Sequence, residues 1–214
     1  MNHKNKRVLI FGATGKTGLL LIKRCLEEGY TVSVFARTPK KLNNFGDSIK
    51  LFIGDVRNFQ AVDKAVKDQD VILIALGVMP WQVDAILSQG ATNIVKAMQR
   101  NKIKRIICLT GAALTENQQQ LPLLWRIVRR MPLMRGMYDD KQKQEEIIKA
   151  SALEWTLVRP VNLVNGPGTK KYQVGETLKL KTNSTISRVD VAEFMVLQIE
   201  SNRWLYKGPV LSGI

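Results

Sequence analysis

Residues 12–18 read Gly12-Ala13-Thr14-Gly15-Lys16-Thr17-Gly18 and follow directly on the apolar run Val8-Leu9-Ile10-Phe11. Glycines at short spacing, with a lysine and two threonines among them, are residue types that hold phosphate, because backbone N–H groups reach an anion only where no side chain blocks them. Two kinds of phosphate loop share these letters. A triphosphatase loop needs four residues between its first glycine and the Gly-Lys pair, so that a long turn can wrap a β-phosphate. Here only Ala13 and Thr14 separate Gly12 from Gly15, and the position that should be glycine is Ile10. The spacing fits instead a chain that leaves a strand, turns tightly and enters a helix whose N-terminus faces a dinucleotide pyrophosphate. Gly12 then permits the turn, Gly15 admits the phosphate, and Gly18 lets the helix pack close to the sheet.

The end of the following strand tells which dinucleotide is favoured. About 20 residues past such glycines, an NAD site carries an acidic residue for the ribose hydroxyls. This chain carries Ala36-Arg37-Thr38 and then Lys40-Lys41. An arginine fork there suits the 2′-phosphate of NADP(H), while a solvated basic loop is the alternative reading of the same residues.

The elements needed to position these groups are legible as alternation. Apolar, β-branched runs over 8–11, 31–35, 50–53, 71–75, 105–109 and 156–158 predict strands buried on both faces. Helical spacing occupies 17–28, 59–67, 82–100 and 141–150, and a last helix over 189–200 precedes a short strand at 209–211. This order predicts an α/β fold with a Rossmann-type doubly wound parallel sheet, and one domain over residues 1–214. Two irregular regions interrupt it, about 114–138 and about 161–186. The second is expected to form a short hairpin within a small C-terminal substrate lobe. Such insertions after strand ends are where open sheets place their ligand loops.

The pattern as a whole resembles the atypical short-chain dehydrogenase/reductases, and within them the NAD(P)H-binding, NmrA-like group that includes the biliverdin reductase B-type flavin reductases. The resemblance runs through residues 12–18, Arg37, Gly54-Asp55-Val56, Ala75-Leu76-Gly77, Gly90-Ala91-Thr92-Asn93-Ile94-Val95, Leu109-Thr110-Gly111 and Leu153-Glu154-Trp155-Thr156-Leu157-Val158-Arg159-Pro160. It implies that Gly12, Thr14, Gly15, Lys16, Thr17 and Arg37 hold the cofactor and that Asp55 and Val56 border its adenine, with the Asp55 carboxylate accepting from the amino group. It further implies that Leu76 and Gly77 run beneath the nicotinamide ribose, that Thr110 lies beside the nicotinamide, and that Pro160 and Val161 flank the ring. Asn93 is expected near the catalytic strand ends. Taken alone, Asp55 reads equally well as a cap or turn aspartate.

The proton chemistry departs from the family pattern. Short-chain dehydrogenases pair a tyrosine with a lysine four residues later, since positions i and i+4 share a helix face. The matching lysine is Lys141, and four residues before it stands Met137. Tyr138 is three residues before it and can share that face, or can simply be an amphipathic tyrosine at a helix start. Thr110 is followed by Gly111 where a serine is expected. The candidate catalytic groups are therefore Thr110, Tyr138 and Lys141, and the chemistry they suit is hydride transfer from NADPH to a small acceptor such as a flavin, quinone or carbonyl compound. A non-catalytic NADP(H)-binding regulator of the NmrA-like type fits the same losses. An epimerase-like enzyme is a weaker fit, because the C-terminal lobe is short.

Charge and composition narrow the setting. With 33 Lys+Arg against 18 Asp+Glu in 214 residues, the formal charge is +15, which attracts anionic partners of many kinds. No nucleic-acid motif accompanies it, so no specific nucleic-acid partner is expected. The longest apolar run, 71–79, is about half of a membrane span. Cys25 and Cys108 sit in apolar stretches with no metal-ligand spacing, as expected of buried thiols in a cytoplasmic protein without bound metal. Residues 121–135 combine Arg126, Arg129, Arg130 and Arg135 with large apolar side chains and no acid. They read as a lid over an apolar anionic substrate, as a peripheral contact with acidic surfaces, as a partner face, or as a partly buried helix with solvated arginines. Pro132 divides the stretch in two. A monomer or a homodimer suits a chain of this size.

Overall fold

Apolar runs covered on both faces must sit between two helical layers, and the computed structural model shows which helices cover them. It describes residues 6–79, 81, 84–116, 119 and 121–214. Strands β1 (Arg7–Phe11), β2 (Thr31–Ala36), β3 (Ile49–Ile53), β4 (Val71–Ile74), β5 (Arg105–Leu109), β6 (Glu154–Pro160), β8 (Tyr172–Gly175) and β10 (Val210–Gly213) form one sheet in the order β3-β2-β1-β4-β5-β6-β10-β8. All its pairings are parallel except that of β8 with β10. Strand β7 (Asn162–Val164) pairs in parallel with β9 (Thr185–Ser187) as a separate two-stranded piece. This is a Rossmann-type doubly wound α/β fold.

Alternate residues of each strand feed two cores. Val8, Ile10, Val32 and Val34 pack against Leu21, Ile22 and Cys25 of α1 (Lys16–Glu27) and against Val191, Phe194 and Met195 of α6 (Arg188–Leu197). Leu9, Phe11, Ile72, Ile74 and Cys108 pack against α2 (Phe59–Val66), α3 (Ile86–Arg100) and α5 (Pro132–Lys149) on the other face. Each of these fully buried side chains contributes about 1.5–3 kcal/mol of transfer free energy, which fixes the sheet as the rigid base of the molecule. The two cysteines lie buried in different cores.

The crossover at β1/β4 sets the position of the site. The strand order turns back there, and open sheets leave a crevice at the carboxyl ends of strands at such a point. Helix α3 starts beside this crevice at Ala85, whose φ is +49° and which offers no side-chain cap. Asp140 of α5 supplies the missing acceptors, taking bonds from Leu87 N at 2.9 Å and Ser88 N at 3.0 Å. Helices α3 and α5 are thereby locked together next to Lys141.

Three expectations change in detail. The start expected for one helix at Gln82 lies outside the described residues, and the described helix begins at Ile86. The helix expected from Lys141 begins at Pro132, because proline is favoured in the first helical turn, and a separate α4 (Leu123–Arg130) precedes it. The short hairpin expected within 161–186 does not form. Strand β8 instead covers the edge of β10, and β7 finds β9.

Candidate functional site

The glycine loop is shaped by contacts that exclude side chains. Gly12 has φ +80°, and a Cβ there would stand 2.3 Å from the carbonyl oxygen of Ala75. A Cβ on Gly18 would stand 2.2 Å from the carbonyl oxygen of Gly12. The loop and the first turn of α1 are thus pressed onto the ends of β1 and β4. Gly15 N donates to Gly12 O at 3.1 Å, which closes the turn, and Gly15 then caps α1 with no side-chain acceptor. The first-turn N–H groups of Lys16, Thr17 and Gly18 have no intrahelical acceptors, no acidic side chain stands among them, and the helix dipole adds positive potential.

Gly12, Thr14, Gly15, Lys16 and Thr17 line a cleft of about 490 Å³ together with Arg37, Asp55, Val56, Leu76, Gly77 and Thr110. Arg37 is exposed at its rim and makes no ion pair among the described residues. The Asp55 carboxylate is engaged by Arg57, with Nη2 at 2.8 Å and Nε at 3.0 Å. These bonds hold its pKa down at about 2, with nearby Arg37 adding a smaller electrostatic pull. Val56 is buried, and its carbonyl accepts from Asn93 Nδ2 at 3.0 Å. The amide of Asn93 is committed to the β3–α2 connection, which it holds in place beside the cleft.

A second cavity of about 590 Å³ lies beyond the ends of β5 and β6. Its walls are largely apolar, from Leu124, Trp125, Val128, Met134 and Met137, with Tyr138 on the same side. Pro160 and Val161 line this cavity and not the glycine-loop cleft. Thr110, Lys141, Leu163 and Arg188 line both, so the two spaces meet at these four side chains. Arg188 went unnoticed in the sequence. The signal available was a cation at the first position of a helix, against the dipole, directly after the Ser187 cap.

The polar groups at the junction are restrained. Thr110 is buried and its hydroxyl donates to Val158 O at 3.4 Å. Lys141 Nζ donates to Thr110 O at 3.4 Å. Burial pushes the Lys141 pKa below the usual lysine value, against weaker opposing pulls from Cys108 and Glu145. Tyr138 lines only the second cavity, and burial raises its pKa. The tyrosine therefore lacks the lowered pKa that a paired lysine gives in the family pattern.

The shared wall is anchored from behind. Arg159 of β6 is 2% exposed and is bound by Glu145 of α5 at 2.5 and 3.0 Å and by Glu116 at 2.5 and 2.9 Å. Burial opposes the guanidinium charge, but the hydrogen bonds of Glu116 and Glu145 outweigh it and raise the pKa. Trp125 Nε1 donates to Thr182 O at 3.1 Å and ties α4 across the mouth of the second cavity.

Comparison with known proteins decides the class. The model of the family described as NAD(P)H-binding matches residues 12–202. The chain belongs to this NAD(P)H-binding family. An uncharacterised chloroplastic protein of Arabidopsis thaliana is 28% identical over 214 residues, covering 93% of this chain and 75% of the relative. A UDP-glucose 4-epimerase of Rickettsia bellii is 33% identical over 126 residues, but the match spans 50% of this chain and only 36% of that enzyme. Among solved structures, a short-chain dehydrogenase/reductase from Veillonella parvula in complex with NADP superposes with a TM-score of 0.79 at 20% identity, over 96% of this chain and 94% of the other. The residues present fit an NAD(P)H-binding protein: the first turn of α1 offers bare N–H groups, and Gly77 leaves its part of the cleft floor open, with no atom within 4 Å of where a Cβ would stand.

Proposed function

We propose that the protein is an NADPH-dependent reductase that passes a hydride to a small acceptor of flavin, quinone or carbonyl type. The observation that carries this reading is the meeting of the two cavities at Thr110, Lys141, Leu163 and Arg188. One space has the bare helix N-terminus and cations a dinucleotide needs, and the other has the apolar walls an aromatic acceptor needs. Bound NADPH would supply the hydride. Gly12, Gly15 and the first turn of α1 would receive the pyrophosphate, with Thr14, Lys16 and Thr17 beside it, and Arg37 the 2′-phosphate. Val56 and Asp55 would border the adenine, where the lone pairs that Arg57 does not use can accept its amino group. Leu76, Gly77 and Thr110 would line the nicotinamide end, with Pro160 and Val161 on the acceptor side.

Proton supply falls to Lys141. Its lowered pKa makes the ammonium a readier donor than an ordinary lysine, and its place at the junction lets it stabilise negative charge that develops on the acceptor. Tyr138, with its raised pKa, remains protonated and serves as a hydrogen-bond donor within the acceptor cavity. Titration of NADPH and NADH against tryptophan fluorescence tests the cofactor preference, and tighter binding of NADH would overturn it.

A second reading has its own support. Thr110 and Lys141 each spend a donor on a backbone carbonyl, and Tyr138 lines only the second cavity, so no hydroxyl donor is paired with Lys141 as in the short-chain dehydrogenase pattern. That suits an NADP(H)-binding regulator which performs no chemistry. Cofactor binding without turnover on flavin, quinone and carbonyl acceptors would favour it.

A further inference from the structure

Helix α4 buries none of its residues. Leu123, Leu124 and Ile127 on it, with Met131 and Leu133 at the start of α5, are exposed by between 49% and 67%. Leu123 and Ile127 are four apart and stack on one face, and Leu124 widens the stripe. Arg126 and Arg130, also four apart, flank that stripe, and neither makes an ion pair among the described residues. From Leu121 to Tyr138 the chain holds no acid. The helix is fastened by Trp125 to Thr182, by Arg129 Nη1 to Ala113 O at 2.9 Å and by Arg129 Nη2 to Gln142 Oε1 of α5 at 2.6 Å.

An exposed apolar stripe edged by arginines is the composition of a helix that lies in a bilayer interface, with aliphatic side chains among the acyl chains and guanidinium groups at the phosphates. Charge complementarity selects an anionic bilayer, since residues 121–138 carry only cations, Arg126 and Arg130 stay exposed at the rim of a cavity whose acids come from α5 and Glu116, and the whole chain is +15. A nucleic acid suits the patch less well. Leucine and isoleucine gain nothing from a phosphate backbone, and the one aromatic of α4, Trp125, is half-buried and turned inward.

We propose that the α4–α5 elbow docks reversibly on anionic lipid bilayers, and that the second cavity takes a lipophilic acceptor from the bilayer there. The link between the two is Leu124, which belongs to the exposed stripe and to the cavity wall, while Trp125 and Val128 of the same helix line the cavity. The delivery of an acceptor rests on the reductase reading; the docking does not.

The test is vesicle flotation of the full chain, with phosphatidylcholine vesicles that contain or lack phosphatidylglycerol. The protein should float only with the anionic vesicles and be released by high salt. Arg126→Gln/Arg130→Gln should weaken binding by about fivefold per cation. Ile127→Gln/Leu133→Gln keeps every charge and should weaken it at least about tenfold through lost apolar burial. Both pairs lie outside the two cavities that form the candidate site, so NADPH binding serves as the check that each variant is folded. Absence of flotation, equal flotation on neutral vesicles, or flotation untouched by the apolar pair would overturn the docking. So would an equal loss of binding to a DNA duplex in the apolar variant, which would mark a polyanion site. For delivery, NADPH oxidation is followed with a long-chain quinone in vesicles and with a short-chain, water-soluble quinone. The apolar variant should lose activity with the first and keep it with the second; loss of both, or of neither, contradicts delivery. No oxidation with either quinone would overturn the reductase reading and delivery with it, while leaving docking to the flotation result.

Discussion

The two cavities that meet at Lys141 are built in different ways. The glycine-loop cleft is made mostly by backbone: Gly12 and Gly18 bring chain onto chain, and the first turn of α1 presents its own N–H groups. Apart from the shared wall of Lys141, Leu163 and Arg188, its parts lie just past the ends of consecutive strands, so each is fixed by a short local pattern. The second cavity is made by side chains from segments far apart in sequence, 110–113, 124–141, 160–163, Thr182 and Arg188. A backbone site holds one shape and binds one kind of group, whereas a side-chain site is free to vary with the acceptor while the sheet beneath stays the same.

The sharpest way to break this contrast is at Gly12. Gly12→Val would place a Cβ against Ala75 at a positive φ, and the combined overpacking and backbone strain should cost about 2–6 kcal/mol. Thermal melting should show that loss, and NADPH titration should show no binding. Next in size is Glu145→Leu, which leaves the buried Arg159 with one partner fewer. Breaking such a pair should lower stability by about 3–5 kcal/mol in chemical denaturation. Because the damage falls behind the acceptor wall, NADPH affinity in the folded fraction should hold.

Arg37→Ala tests the cofactor side alone. Loss of a charge-assisted contact with the 2′-phosphate, worth about 1.5–3 kcal/mol, should weaken NADPH binding about tenfold to a hundredfold and leave NADH almost unchanged. Lys141→Met tests the junction. Lysine's pKa lies below its ordinary 10.5, so the ammonium is lost as pH rises through that lowered value. The wild-type kcat/KM should therefore fall on the alkaline side below pH 10.5, and in the variant this limb should be absent from a lower, flatter profile. The smallest effect is expected for Val128→Ala, which should raise the acceptor KM severalfold with no change in the Kd of NADPH.

The same contrast explains what could be read from the sequence. Strand-helix alternation and the count between Gly12 and Gly15 are local, and they sufficed for a doubly wound, mostly parallel sheet and for an NAD(P)H-binding fold. The hold of Asn93 on Val56 was not legible, because it is a contact 37 positions away that no spacing reveals. The hairpin within 161–186 was misread because β8 is needed at the open edge of β10, a tertiary demand that outweighs local turn chemistry. Arg188 was overlooked because nothing ties it to Lys141 until β7, β9 and α6 are assembled. The division at Pro132 was legible because proline acts on its own neighbours.

The central claim is that the two cavities form one reaction path. Its most direct measurement is a single-turnover reaction with NADPH deuterated at the transferred position and a flavin or quinone acceptor, monitored by cofactor absorbance. NADPH oxidation with a primary isotope effect is expected in the wild-type protein, with a marked slowing in Lys141→Met. Tight NADPH binding with no oxidation by any of the acceptors would contradict it.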